Sequence, residues 1–147
     1  KANGKTIQRQ ELFDWRKEED EQIRYSYGQA VYKTTFRWKS KVKEGQQVYL
    51  NLGKVCDLAT VRVNGIDCGT IWTAPYRADI TAALKKGVNE LEIEVTNTWA
   101  NALKGADEGK APFDGIWTNA KYRRAENTLL PAGLLGPLNF EVANKNK

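Results

Sequence analysis

The run Val61-Arg62-Val63-Asn64-Gly65-Ile66-Asp67-Cys68 reads as a β-hairpin, and the fold of the chain follows from it. A two-residue type I′ turn needs positive φ at both central positions, and Asn-Gly supplies this with the least strain. Pairing across that turn sets Val63 against Ile66, Arg62 against Asp67 and Val61 against Cys68. The apolar pairs then share one face and an ion pair takes the other. Period-two counting puts Cys56 on the Arg62 face and Cys68 on the Val61 face. A disulfide between these two cysteines would require a bend near Asp57, so two free thiols are expected.

Outward from the hairpin the same period continues. Upstream, Tyr32, Thr34, Phe36 and Trp38 alternate with Lys33, Thr35, Arg37 and Lys39, and Val48, Leu50 and Leu52 alternate with Gln47, Tyr49 and Asn51. Downstream, Leu91, Ile93 and Val95 alternate with Glu90, Glu92, Glu94 and Thr96, and Leu138, Phe140 and Val142 alternate with Asn139 and Glu141. Each is the pattern of a half-buried strand. Only Asp79 to Leu84, with a capping Asp79 and Gly87 beyond, predicts a short helical turn near 79–85. The fold class is therefore all-β, and successive short strands separated by turns point to a jelly-roll β-sandwich. Residues 1–147 are read as one domain, with a sandwich core over 25–142 preceded by an N-terminal wrap or short helix over 1–24. Between the strands ending near Asn97 and starting near Leu138 lies a long loop, 98–137. Its Trp99, Phe113, Trp117 and Tyr122 mark it as ordered against some partner.

Composition narrows the chemistry. The 147 residues are 41% hydrophobic and 28% charged, as in a globular chain with a core, and no apolar run reaches membrane-spanning length. There is no histidine, which excludes a Ser-His-Asp triad, a histidine proton shuttle and a histidine-containing zinc site built from this chain alone. The sequence starts at Lys1 and contains no methionine, and it is read as a processed protein or a piece of a longer one. Lysine and arginine outnumber carboxylates by 23 to 18, and the excess is scattered along the sequence rather than gathered in one arm. Neither a nucleic-acid nor a membrane partner is expected from it.

Several linked motifs resemble a known accessory module. These are the hairpin with Gly69-Thr70-Ile71-Trp72, then Pro75-Tyr76-Arg77-Ala78-Asp79-Ile80-Thr81, then Gly87-Val88-Asn89-Glu90-Leu91-Glu92-Ile93-Glu94-Val95. In this order they are similar to the sugar-binding β-sandwich of family 2 glycoside hydrolases. Tyr27-Gly28-Gln29-Ala30-Val31-Tyr32-Lys33-Thr34-Thr35-Phe36 resembles the first core strand of that module, with Tyr27 in place of its usual serine. Val95-Thr96-Asn97-Thr98-Trp99-Ala100-Asn101-Ala102-Leu103 and Gly133-Leu134-Leu135-Gly136-Pro137 resemble the version found near the C-terminus of enzymes similar to the family 106 α-L-rhamnosidases. The resemblance implies a galactose-binding-domain-like jelly roll, non-catalytic by itself, belonging to a periplasmic or extracellular glycoside hydrolase. Its partners would be a carbohydrate, the catalytic domain of the parent enzyme, or both. A purely structural interdomain module without sugar affinity is the alternative.

Sugars are held by laying a ring face on an aromatic side chain while planar polar groups bond the hydroxyls. The candidate carbohydrate-binding set is Trp72, Arg77, Trp99, Asn101, Trp117, Tyr122 and Arg123. No pair of carboxylates stands out as a glycosidase acid and base, and no catalytic residue is assigned. No cofactor is expected. Asp107, Glu108 and Asp114 offer oxygen ligands to a calcium ion, although without an EF-hand spacing.

Overall fold

The structure, a computed structural model, describes residues 4–110, 115–119 and 128–144. Among these residues the strands are β1 (Gly28–Trp38), β2 (Gln46–Asn51), β3 (Lys54–Cys56), β4 (Leu58–Val63), β5 (Ile66–Ile71), β6 (Arg77–Asp79), β7 (Gly87–Asn97), β8 (Gly133–Gly136) and β9 (Asn139–Asn144). Two helices accompany them, α1 (Glu21–Arg24) and α2 (Ala100–Asp107). One antiparallel sheet has the order β1-β7-β4-β5, a second has β6-β2-β9, and a two-stranded piece pairs β3 with β8. This all-β layering agrees with the sandwich expected from the period-two pattern.

The alternation explains the layers. Val48 and Leu50 from the smaller sheet and Val61, Val63, Leu91, Ile93 and Val95 from the larger are buried together in one core, with Leu52, Ile80 and Leu134. A fully buried aliphatic side chain of this size contributes about 1.5–3 kcal/mol relative to exposure. The glutamates of β7 stand on the opposite face. There Glu92 pairs with Lys33 (2.9 Å) and Arg62 (3.1 Å), and Gln29 Nε2 donates to Glu94 (3.1 Å). Bonding to Lys33 and then Arg62, with their positive charges, holds the Glu92 carboxyl below the usual range.

The hairpin forms in the expected register, with Arg62 opposite Asp67, Val63 opposite Ile66, and positive φ at Asn64 (52°) and Gly65 (78°). The expected Arg62–Asp67 ion pair is corrected. Arg62 turns to Glu92 on its other neighbour, while Asp67 Oδ1 accepts the Gly69 N–H (2.7 Å). Two strands flank β4, and Arg62 takes its partner from β7; a register shift between Thr60 and Arg62, with Gly69 at φ 103°, forms a bulge that Asp67 caps. Cys56 and Cys68 are free thiols, and burial pushes both above the ordinary thiol range.

Two further stretches differ from the sequence reading. The helical turn is a 3₁₀ turn at Thr81–Ala83, and Asp79 is the last residue of β6, its carboxylate accepting the Thr81 N–H (3.0 Å). The stretch 98–137, read as an ordered loop, contains α2 and β8. Helix α2 escapes a sequence reading because it has no side-chain N-cap bond and carries Asn101 and Gly105, which are poor helix formers. Gly105 is needed for packing, since a Cβ there would sit 2.6 Å from the Tyr25 ring. At the N-terminus both expected forms occur: an extended wrap, a 3₁₀ turn at Trp15–Lys17, and α1. Trp15 anchors the wrap, buried and donating from Nε1 to the Tyr32 hydroxyl (2.7 Å), which in turn accepts the Leu134 N–H (3.1 Å).

Candidate functional site

The antiparallel registers bring one set of strand ends to the same end of the sandwich. Gly28 of β1 lies opposite Asn97 of β7, Leu58 of β4 lies opposite Thr96, and Ala59 lies opposite Ile71 of β5. Tyr27, Trp99, Asp57 and Trp72 therefore line one rim in strand order. The short connection from Trp72 to Tyr76 carries the chain to Arg77 at the start of β6, opposite Asn51 at the end of β2. The β3–β8 piece closes the core at this end, where the Gly53 backbone pairs with that of Gly136.

Trp72 follows β5 directly and is 72% exposed. Trp99 occupies the N-cap position of α2, is 52% exposed, and meets the Tyr27 ring at 4.7 Å between centroids. The exit of β7 toward Trp99 is pinned from β4: Asp57 N donates to Thr96 O (3.0 Å), and Asp57 Oδ2 accepts the Thr98 N–H (3.0 Å). Only β4 lies between β7 and β5, so the strand ends carrying Trp99 and Trp72 are roughly 10 Å apart. Beneath them Asn97 is buried, its Nδ2 donating to Ser26 O (3.0 Å) and its Oδ1 without a partner among the described residues.

The other candidates are distributed differently. Arg77 turns onto the outer face of the smaller sheet, its guanidinium 4.5 Å above the Tyr49 ring and 3.4 Å from Glu141, which also accepts a bond from Asn51 (2.6 Å). Asn101 is 4% exposed, and both ends of its amide are engaged. Its Nδ2 donates to Leu130 O (2.8 Å) and its Oδ1 accepts the Leu130 N–H (2.7 Å), which ties the returning chain to α2. Trp117 is 78% exposed. Tyr122 and Arg123 lie outside the described residues. Of the calcium candidates, Asp114 is likewise outside them, while Glu108 is held by Lys104 (2.7 Å) and Lys110 (3.6 Å), which keep its carboxyl below the usual range. Among the described residues no three Cys, Asp or Glu side chains gather as a metal site would require.

A family model described as "Glycosyl hydrolase 2 galactose-binding domain-like" matches residues 7–128. The chain belongs to that family. The resemblance carried by the hairpin and the motifs that follow it is thus borne out. This galactose-binding-like domain shares its fold with a solved rhamnosidase from Novosphingobium sp. PP1Y, at 43% identity and a TM-score of 0.75 over 88% of the chain and 12% of the rhamnosidase. It is also similar to the FMN-binding beta-glucuronidase from Facaelibacterium prausnitzii L2-6, at 26% identity and a TM-score of 0.54 over 81% of the chain and 16% of that protein. A Formosa agariphila protein with a provisional beta-glucuronidase name is 38% identical over 90% of the chain and 13% of its own length. The galactose-binding-like domain thus spans about an eighth of the first of these relatives. What it matches is a non-catalytic part of glycoside hydrolases.

The sequence reading missed Asp57 and Tyr27. The signal for both is positional: each immediately precedes a strand whose end lies beside Asn97, and that is legible only once the pairing is known.

Proposed function

We propose that this chain is an accessory, carbohydrate-binding domain of a larger glycoside hydrolase that works in the periplasm or outside the cell. The rim carries the sugar. The observation behind this reading is the pair of exposed indoles, Trp72 and Trp99, at one end of the sandwich and two strand spacings apart. Such a separation suits two neighbouring sugar rings, each stacked on one indole. Asp57 and Tyr27 fix the Trp99 side, and Trp117 adds a further exposed ring. Residues 1–147 serve as one unit, with no catalytic residue or cofactor of its own.

Because the relatives are named as a rhamnosidase and beta-glucuronidases, rhamnose- and glucuronate-bearing oligosaccharides are the first ligands to test. Isothermal titration should show binding that falls about tenfold or more in Trp72→Ala and in Trp99→Ala, while both variants keep the wild-type unfolding curve. An absence of binding across a glycan array would overturn this reading.

A purely interdomain role is the second reading. In its favour, a cleft of about 1200 Å³ runs between the N-terminal wrap and β1, lined by Ile7, Leu12, Phe13, Tyr32 and Leu138 among others. Val31 and Val142 also stand half-exposed. Apolar surface of this kind is what a neighbouring domain covers.

A further inference from the structure

The end of the sandwich opposite the aromatic rim is built from strand ends that are distant in sequence. Trp38 at the end of β1 lies opposite Gly87 at the start of β7, so Lys39 stands beside Lys85 and Lys86. The connection from β1 to β2 holds Lys41 and Lys43 at the same end, with Gln46 N donating to Lys43 O (3.0 Å). Arg37 points outward one residue before Trp38. These six cations are all exposed, and none makes a salt bridge among the described residues. The carboxylates nearby are Glu44, in the same connection, Glu90, opposite Thr35 on the outer face, Asp79, engaged by Thr81 and Gln47, and Asp67, engaged by the Gly69 N–H. Lysines from two separate segments of the sequence are gathered at one pole in space.

That pole is also rigid. Asn89 is completely buried, and its side chain stitches the lysine-bearing turn. Its Nδ2 donates to Lys85 O (2.8 Å) and Gly87 O (3.0 Å), while its Oδ1 accepts from Lys85 N (2.9 Å) and Asn64 Nδ2 (2.8 Å). Asn64 ties the hairpin to the same turn, with Nδ2 donating to Ala83 O (2.8 Å) and Oδ1 accepting the Glu90 N–H (3.1 Å). A fixed array of unpaired cations attracts a ligand that carries repeated negative charge.

We propose that this pole is a second binding site, for an anionic polysaccharide whose carboxylate or sulfate groups repeat along the chain. The proposal rests on reading the chain as a carbohydrate-associated domain. Single-stranded nucleic acid is a poorer fit, because it needs flat aromatic platforms between the cations. Here Trp38 is turned edge-on to Phe140 (5.4 Å), and the most exposed indoles lie at the other pole or in the 115–119 segment.

The test measures binding of the full chain to polygalacturonate, dextran sulfate, neutral dextran and a single-stranded oligonucleotide, at low and at physiological salt. Polygalacturonate or dextran sulfate should bind, and affinity should fall on the order of tenfold or more as salt rises from about 50 to about 200 mM. The same affinity should fall on the order of tenfold in a variant carrying Lys39→Gln, Lys41→Gln, Lys85→Gln and Lys86→Gln, a larger loss than Trp72→Ala with Trp99→Ala produces. Because the four lysines are exposed, that variant should unfold like the wild type. No binding of either anionic glycan, binding undiminished in the lysine variant, or equal affinity for the oligonucleotide would each overturn the proposal. Loss in the tryptophan variant alone would instead place the anionic glycan at the rim. An absence of oligosaccharide binding at the rim leaves this measurement intact, so the two readings fail separately.

Discussion

The two ends of the sandwich solve the same problem with different materials. At the rim, strand ends are held by close backbone approach and by links from loop to helix: Gly53 against Gly136, Asp57 against the exit of β7, Asn101 against Leu130. At the opposite pole they are held by a buried amide network centred on Asn89, with open space around the turn glycines. The rim thus depends on steric fit and presents aromatic rings. The pole depends on hydrogen bonds and presents lysines. Each has a hydrogen-bonded base beneath exposed side chains.

Glycine substitution should break the symmetry most sharply. A Cβ on Gly53, at φ +63°, would fall within the Gly136 carbonyl and 2.7 Å from Pro137 N, and the clash is with backbone that cannot swing aside. Gly53→Ala should therefore cost about 3 kcal/mol or more, combining the left-handed penalty with overpacking. At the other pole a Cβ on Gly65, at φ +78°, meets nothing within 4 Å, so Gly65→Ala should cost only about 1–2 kcal/mol from conformation alone. Chemical denaturation of both variants measures the contrast, and equal losses would refute the idea that only the rim is sterically locked.

Asparagine deletion should reverse the order. Asn89→Ala removes four hydrogen bonds from a fully buried site and strands their partners, for about 3 kcal/mol. Asn101→Ala removes two, for about 1–2 kcal/mol. If Asn101→Ala proved the costlier in urea titration, the rim would be the end that leans on polar links.

The smallest effect concerns the outer face that joins the two ends. Glu92 is held below the ordinary carboxylate range by Lys33 and Arg62, so its contribution is fully present above the unfolded pKa and fades as pH falls through the folded value. Glu92→Gln should lower stability at neutral pH by less than about 1 kcal/mol, since its partners are solvent-accessible. The variant should also lose less on acidification from about pH 5 downward than the wild type does. Parallel acid curves for the two proteins would show that these pairs contribute nothing.

Much of this was legible in the sequence, and the reason is local. The Asn64-Gly65 turn and the alternation in β2 and β7 are each dictated by a residue and its near neighbours. The free cysteines followed from the same parity. The ion pair of Arg62 was misassigned because two strands flank β4, and counting across the hairpin sees only one of them. Helix α2 was missed because it has no side-chain N-cap bond and Asn101 and Gly105 interrupt a short run of helix formers, and packing of Gly105 against Tyr25 supports it. Asn101 looked like a sugar ligand by composition, yet its amide is committed to Leu130, a partner 29 residues away.

The sequence by itself determined which side chains of β2, β4 and β7 share a face, because side-chain parity along a strand is a property of the covalent chain. Only the tertiary structure decided that Trp72 and Trp99 share a rim and that lysines from two separate segments share a pole. Both outcomes depend on which strands pair and in what order, and pairing is settled by long-range hydrogen bonding and core closure between segments that carry no mark of one another.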